Sequence, residues 1–387
     1  MYYFGFSFVL YFLAQYLMVP FFGLSLGSPS FDTGYMYLTG FSITSFLVGF
    51  LAIGKVLGRS PFDSERTLCA WDYEVWKSAG LWILLIGFVG KFIRFVVTGG
   101  IPEGKDIFEL NLTPNFFHGF GLSLLCFYFL ARYRYSAAGK SSIAIASILI
   151  LSLCLWGWIT YISRAWILSS ILSVLIFCAL IFQHQFKLRS LIFSIAFVAV
   201  IFLVLSLIKD FEELNGSSGI SFYDWFLSNT LRRISHAHIL SQVLEVWRGP
   251  NLWMYGWTDL FSIPELGIHR SYIGGEDFGF AFGFITDELT GVSPTLFGDL
   301  YIRFGPYGTG IACLLLGGAL AYFYFFITSL PMRFGIPLLS LIWPIMLAAS
   351  EDFIIISANR IFQYTFIVVG AIWFADAIKS YSDRGAN

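Results

Sequence analysis

An all-α protein that crosses the membrane many times is the fold class this chain predicts, and three observations predict it. The 387 residues are 57% hydrophobic and 20% aromatic but only 12% charged, where a soluble domain carries about 25% charged residues. Mean hydropathy is +0.76. Apolar stretches recur at the length a bilayer demands, about 20 residues each.

Those stretches predict about ten spans, near 3–24, 35–57, 79–98, 115–132, 142–162, 165–183, 190–208, 306–328, 335–350 and 358–378. The break between the fifth and the sixth rests on Ser163-Arg164. Three parts follow: 1–208 with the first seven spans, 209–305 as one large loop, and 306–387 with the last three spans and a tail. The first apolar stretch lacks a charged front and a small-residue cleavage site, so it reads as a true span and not a cleaved signal.

Orientation comes from the short loops. Lys55, Arg59, Arg66 and Lys77 fall on one side, followed there by Arg132, Arg134 and Lys140, then Lys187 and Arg189, then Arg333, and Lys379 and Arg384 in the tail. Short basic loops mark the cytoplasmic side. Both termini are then cytoplasmic. The opposite side receives 99–114, the turn at Arg164, the large loop and the connection Glu351–Arg360.

Within the large loop, segment 225–248 reads as an amphipathic helix. Leu231, Ile234, Leu240, Val243, Leu244 and Trp247 recur at helical spacing, and Gly249-Pro250 ends it. Segment 264–305 is rich in glycine and acids and reads as ordered but irregular chain, the kind of loop that carries function.

Several chemistries find no support. A net charge of -1 argues against nucleic acid as a partner. Walker, GxGxxG and HExxH patterns are absent. The acids lack the compact spacing of a metal site, so no metal and no cofactor are expected. The five cysteines, Cys69, Cys126, Cys154, Cys178 and Cys313, imply neither a disulfide framework nor a C-x-x-C site.

What stands out is arginine on the wrong side. Arg232, Arg233, Arg248, Arg270 and Arg303 all fall in the large loop, against the bias that keeps basic residues inside. Arginine's planar fork suits phosphate. Arg164 sits alone in a short outside turn, and either binds an anion or anchors the turn at the lipid headgroups. Lys91 and Arg94 lie at i,i+3 near the outer end of the third span, with the same two readings. Arg232 and His236 are i,i+4 on the amphipathic helix, while Arg233 points about 100° away from Arg232. His236 is the candidate general base, because histidine titrates near neutrality; a solvated helix face is the alternative. His238 and His269 are weaker candidates. Glu276, Asp277, Asp287, Glu288 and Asp299 are the candidate acids, and Glu276 and Asp299 the preferred ones, Asp299 because it stands at the entry to a span.

Three pieces carry a resemblance: Thr98-Gly-Gly-Ile-Pro102 after the third span, Ser163-Arg164 between paired spans, and Ser293-Pro-Thr-Leu-Phe-Gly-Asp-Leu-Tyr-Ile-Arg-Phe-Gly-Pro-Tyr-Gly308 leading out of the large loop. With the topology, they resemble the O-antigen polymerase (Wzy-type) family of bacterial repeat-unit polymerases. That resemblance implies a GT-C-like fold in the bacterial inner membrane, with the large loop and active site periplasmic. It implies transfer of a growing glycan from undecaprenyl diphosphate to a sugar hydroxyl of an incoming lipid-linked repeat unit. Negative charge then builds on the leaving diphosphate, and preorganised arginines would stabilise it. The expected partners are the undecaprenyl-diphosphate-linked oligosaccharide, membrane lipid and a co-polymerase that sets chain length.

Three rivals remain. An O-antigen ligase would use the same chemistry with a lipid A-core acceptor, but the related ligases carry a His-Asn pair where this chain reads Ser293-Pro-Thr295. A flippase or transporter for lipid-linked sugars would be expected to show inverted repeats and broken midplane helices. An integral acyltransferase would place a histidine inside a span, and His118 lies near a span end.

Overall fold

The computed structural model describes residues 2–17, 33–58, 68–98, 106–136, 139–159, 164–182, 237–246, 295–348 and 354–385. Every regular element among them is helical: α1 (Tyr2–Phe12), a π-helical turn (Leu13–Leu17), α2 (Thr33–Leu57), α3 (Ala70–Thr98), α4 (Asp106–Tyr135), α5 (Gly139–Ile159), α6 (Arg164–Ile181), α7 (Ala237–Val246), α8 (Thr295–Ser329), α9 (Met332–Ala348) and α10 (Ile354–Gly385). Three stretches are long and apolar enough to cross a membrane: Thr33–Leu57, Thr295–Ser329 and Ile361–Asp383. The predicted span 190–208 lies outside the described residues.

Two stretches expected to be irregular prove helical. Residues 106–114, expected in an outside loop, belong to α4. Residues 295–304, expected as irregular chain, open α8. Of the amphipathic segment 225–248, α7 accounts for Ala237–Val246, and the rest lies outside the described residues.

The chain divides into two compact units. The first comprises Met1–Pro61, Ser206–Phe326 and Met346–Ile361. Its core is aromatic: Phe12 meets Phe46 edge-on at 5.3 Å, and Phe297 stacks on Tyr16 at 4.5 Å. α2 and α8 approach backbone to backbone. A Cβ at Gly49 would overlap the Leu314 carbonyl, and one at Gly317 the Phe46 carbonyl. Small residues let helices in lipid come this close, because packing and not hydrophobic exclusion holds them together there. α7 packs on α2 and on the π-helical turn, burying Leu240 and Val243 and exposing Glu245. Within the described part, Leu240 and Val243 thus face inward, as their helical spacing predicts.

The second unit comprises Phe62–Leu205, Ile327–Ile345 and Phe362–Asn387. α3 begins where the Cys69 backbone N–H donates to the Asp72 carboxylate at 3.0 Å, satisfying one of the donors a helix start leaves over. α4 packs along α3 and α5. Trp76, fully buried, meets Phe177 edge-on at 5.6 Å, and Phe177 stacks on Phe127 at 4.2 Å. Pro337 sits inside α9 and cannot donate to the Arg333 carbonyl four residues back. The Trp76 indole N–H supplies that bond at 2.7 Å. A backbone carbonyl freed by proline within apolar surroundings needs such a substitute donor.

Candidate functional site

α8 is two helices joined end to end. Gly305 has φ 67° and ψ -175°, a region that residues with a Cβ almost never occupy. Pro306 follows, well suited to start the second helix because it has no N–H to waste there. The Thr309 hydroxyl donates to the Gly305 carbonyl at 2.7 Å and secures the restart. The first part, 295–304, also begins on an unusual backbone: Thr295 has φ 67°, uncommon for a β-branched residue. Its hydroxyl accepts the Gly298 N–H at 3.4 Å, as a helix cap does. Strained positions at both ends therefore fix one short helix.

That helix carries the charges. The Arg303 Nε–H donates to Asp299 Oδ1 at 2.8 Å, one helical turn apart. Asp299 and Arg303 are both buried, and residues 295–300 are buried without exception. Taking two such charges out of water costs several kcal/mol each, about what their mutual attraction returns only in good geometry.

The opposite face of the same helix, about 200° round from Asp299, packs on the π-helical turn. Phe297, two residues before Asp299, stacks on Tyr16, and Phe12 lies 5.1 Å from the Phe297 ring. Widening the helix at Leu13–Leu17 disturbs the normal carbonyl pairing, and the Tyr35 hydroxyl donates to the Tyr16 carbonyl at 2.6 Å. Such π turns recur at functional sites. Gln15, an amide in an otherwise apolar stretch, is buried here. Tyr35, Thr39 and Ser42 form a buried polar stripe on α2 at i, i+4 and i+7.

Two of the sequence-predicted site residues, Asp299 and Arg303, are thus brought together. Their pairing changes the part expected of Asp299: its carboxylate accepts from a guanidinium in a closed setting, which is poor placement for a base. Arg164 is the first residue of α6, and Lys91 and Arg94 lie toward the end of α3; these three belong to the second unit. Arg232, Arg233, His236, Arg270 and Glu276 lie outside the described residues, although His236 directly precedes α7 in sequence. Among the described residues no three His, Cys, Asp or Glu side chains gather as metal ligands would.

The sequence reading gave no part to Gln15 or Tyr16, and quoted Thr295 and Phe297 only within the stretch that carries the resemblance. Gln15 had a signal, being the lone amide in the first apolar stretch. So did the stripe Tyr35, Thr39 and Ser42, whose helical spacing is legible. The π turn and the Thr295 backbone had none. No family model, curated protein or solved structure matches the chain.

Proposed function

We propose that this chain is a membrane glycosyltransferase that polymerises a lipid-linked oligosaccharide. On this reading about ten spans form a GT-C-like scaffold in the bacterial inner membrane. The growing glycan leaves undecaprenyl diphosphate and is joined to a sugar hydroxyl of the incoming unit on the periplasmic face. The observation that supports it best is the buried Arg303–Asp299 pair, set in a short helix that runs through Gly305-Pro306 into a membrane-length segment. A guanidinium at that depth can bind a diphosphate without first shedding much water, and electrostatic stabilisation is strongest where water is excluded.

The chemistry needs a donor that is already activated. The C1–O bond to the diphosphate breaks as the acceptor oxygen bonds to C1, the acceptor proton passes to a base, and the diphosphate leaves with its carrier. Arginines at the leaving oxygen stabilise the charge that builds there. Arg303 is the member whose side-chain contact is described; Arg164, Arg232, Arg233, Arg270, Lys91 and Arg94 are its further candidates. His236 and Glu276 are the candidates for the base.

Purified protein given its lipid-linked repeat unit should yield longer lipid-linked glycans in excess chelator. Strict dependence on a divalent metal would remove the reading, and so would movement of the substrate across a vesicle without a new glycosidic bond. Orientation has its own test. A cysteine at Ser217 should react with an impermeant thiol reagent in cells with only the outer membrane opened; reaction only after inner-membrane lysis would put the large loop on the wrong side.

A further inference from the structure

We propose that the second unit carries a binding site for the phosphate of an anionic phospholipid, formed by Lys77 and Arg132 where α3 begins and α4 ends. The proposal is independent of glycosyl transfer and needs only that the chain lies in a bilayer.

Four helices bring their ends together there. The Trp76 indole, near the start of α3, donates to the Arg333 carbonyl at the start of α9. The Trp71 indole donates to Asp376, toward the end of α10, at 2.9 Å. The Tyr128 hydroxyl, near the end of α4, donates to Glu74 at 3.1 Å. Lys77, Arg132, Arg333 and Lys379 thus share one end of the unit, the end that their loops assign to the cytoplasm.

These cations are not alike. Arg333 is paired with Asp376, and Lys379 lies over the Trp71 ring. Lys77 and Arg132 are both exposed, and among the described residues neither has a carboxylate partner. A single buried ring holds the two together. Lys77 Nζ lies 5.6 Å and Arg132 Cζ 6.0 Å from the centroid of Tyr128, at the outer limit of attraction to an aromatic ring. Arg132 also donates one Nη–H to the Tyr128 hydroxyl at 3.2 Å, and a guanidinium has five such donors. Glu74 is the opposing charge, with one oxygen committed to Tyr128. Two cations against one carboxylate leave the patch positive, and an anion is what it lacks.

The helix surface beside the patch selects a lipid over a soluble phosphate. Leu81, Leu85 and Phe88 follow Lys77 at steps of four, four and three residues, so they lie on its side of α3. They are 51%, 52% and 59% exposed. From Lys77 to Phe88 the helix rises about 16 Å, half of a hydrocarbon core about 30 Å thick. A phosphate held by Lys77 and Arg132 therefore places its acyl chains along an apolar strip one leaflet deep. Tyr133 and Tyr135, both exposed, border the same end of α4, as aromatic residues do at a membrane–water boundary.

Native mass spectrometry of the full-length protein in detergent tests this, with phosphatidylglycerol or phosphatidylcholine of identical acyl chains added. Phosphatidylglycerol should be retained the more strongly. Lys77→Ala and Arg132→Ala should each weaken its retention about fivefold, the scale for one basic residue at an anionic lipid surface. The double variant should fall to the phosphatidylcholine level. Glu74→Gln keeps an acceptor for the Tyr128 hydroxyl and removes the opposing charge, so retention should rise; a fall would place the anion elsewhere. Arg134→Ala removes the same charge from the same helix end, about 200° round from Arg132, and should bind like the wild type. A loss there equal to that of Arg132→Ala would show diffuse attraction and no site, and equal retention of the two lipids by the wild type would end the proposal outright. Displacement of the lipid by millimolar inorganic phosphate would give the site to a soluble anion and overturn the lipid assignment. Should Arg132→Ala fail to fold, Lys77→Ala carries the decision, because Lys77 makes no side-chain hydrogen bond or ion pair among the described residues.

Discussion

Arg303–Asp299 and Arg333–Asp376 use the same two functional groups in opposite surroundings. The first pair spans one helical turn at 2.8 Å, with its side chains 8% and 3% exposed. The second joins residues distant in sequence at 3.1 Å, with side chains 31% and 17% exposed. Its surroundings are shared. The Trp71 indole donates to the same Asp376 oxygen at 2.9 Å, and the Lys379 ammonium sits 4.5 Å above the Trp71 ring. Water can replace any one of these contacts. Arg303 and Asp299 are buried, so water has little access to them. A pair that solvent can reach fastens the start of α9 to α10 at little gain or cost. A pair that solvent cannot reach has a large desolvation cost, and a tie between adjacent turns of one helix hardly justifies it. This contrast is why the buried pair is the functional candidate and the half-exposed one is not.

The largest expected effect follows directly. Arg303→Ala leaves the Asp299 charge buried without its guanidinium, and breaking a buried pair costs about 3–5 kcal/mol. Thermal unfolding in detergent should show that loss, and glycan elongation per folded protein should fall to background. Arg303→Lys keeps the charge but not the fork, so elongation should recover poorly while much of the stability returns. Normal elongation by the alanine variant would make the buried pair a structural feature only.

Gly49→Leu separates loss of fold from loss of charge. The new side chain would be driven into the Leu314 carbonyl, and overpacking costs about 1–3 kcal/mol, occasionally more. It touches neither member of the buried pair. Elongation per folded molecule should therefore stay near wild type as the unfolding temperature drops. A specific loss of elongation at full stability would link the α2–α8 crossing to the chemistry and weaken the contrast drawn above.

A milder probe works on the backbone that holds the pair. Gly305→Ala places a Cβ at φ 67°, ψ -175°, at a cost of about 1–3 kcal/mol for so sparsely populated a conformation. The helix is expected to relax at this joint, shifting Arg303 two residues away. Elongation should fall further than the stability change alone explains. Equal losses in both measurements would show that the joint serves folding without setting the guanidinium.

How much of this was readable beforehand differs between fold and site. Helices were legible wherever an apolar run did the work, as in α2 and the later part of α8, because bilayer length and hydropathy leave few alternatives. Ends were less legible. Residues 295–304 looked like loop because Gly298, Gly305 and Pro306 are turn formers in most settings. Burial of Leu296, Phe297 and Leu300 outweighs that local preference, and the glycine and proline act at a joint between helices. For the site, the expectation of arginine on the outer side singled out Arg303, and its position before a span singled out Asp299. Their separation of four residues permitted a pair without requiring one. The stacking of Tyr16 on Phe297 was not readable, since a π turn depends on tertiary packing that no local pattern encodes.

The smallest effect is expected at the other pair, and its smallness is what the comparison needs. Arg333→Ala removes the bond to Asp376, but the Arg333 main-chain carbonyl remains and still accepts from Trp76 at 2.7 Å. Asp376 keeps the Trp71 indole as a donor. Solvent can hydrate whatever else is uncovered, so the loss should be at most about 1 kcal/mol, the ordinary range for an exposed ion pair. Salt should shrink it further, because charges that solvent reaches are screened within about 3 Å at 1 M ionic strength. Unfolding of the wild type and the variant should therefore converge as salt rises, with elongation unchanged at every concentration. The same titration on Arg303→Ala should leave most of its deficit in place, because a buried pair is screened far less by salt than an exposed one. If both variants respond to salt alike, burial does not distinguish the two pairs, and the argument for function at Asp299 and Arg303 loses its physical basis.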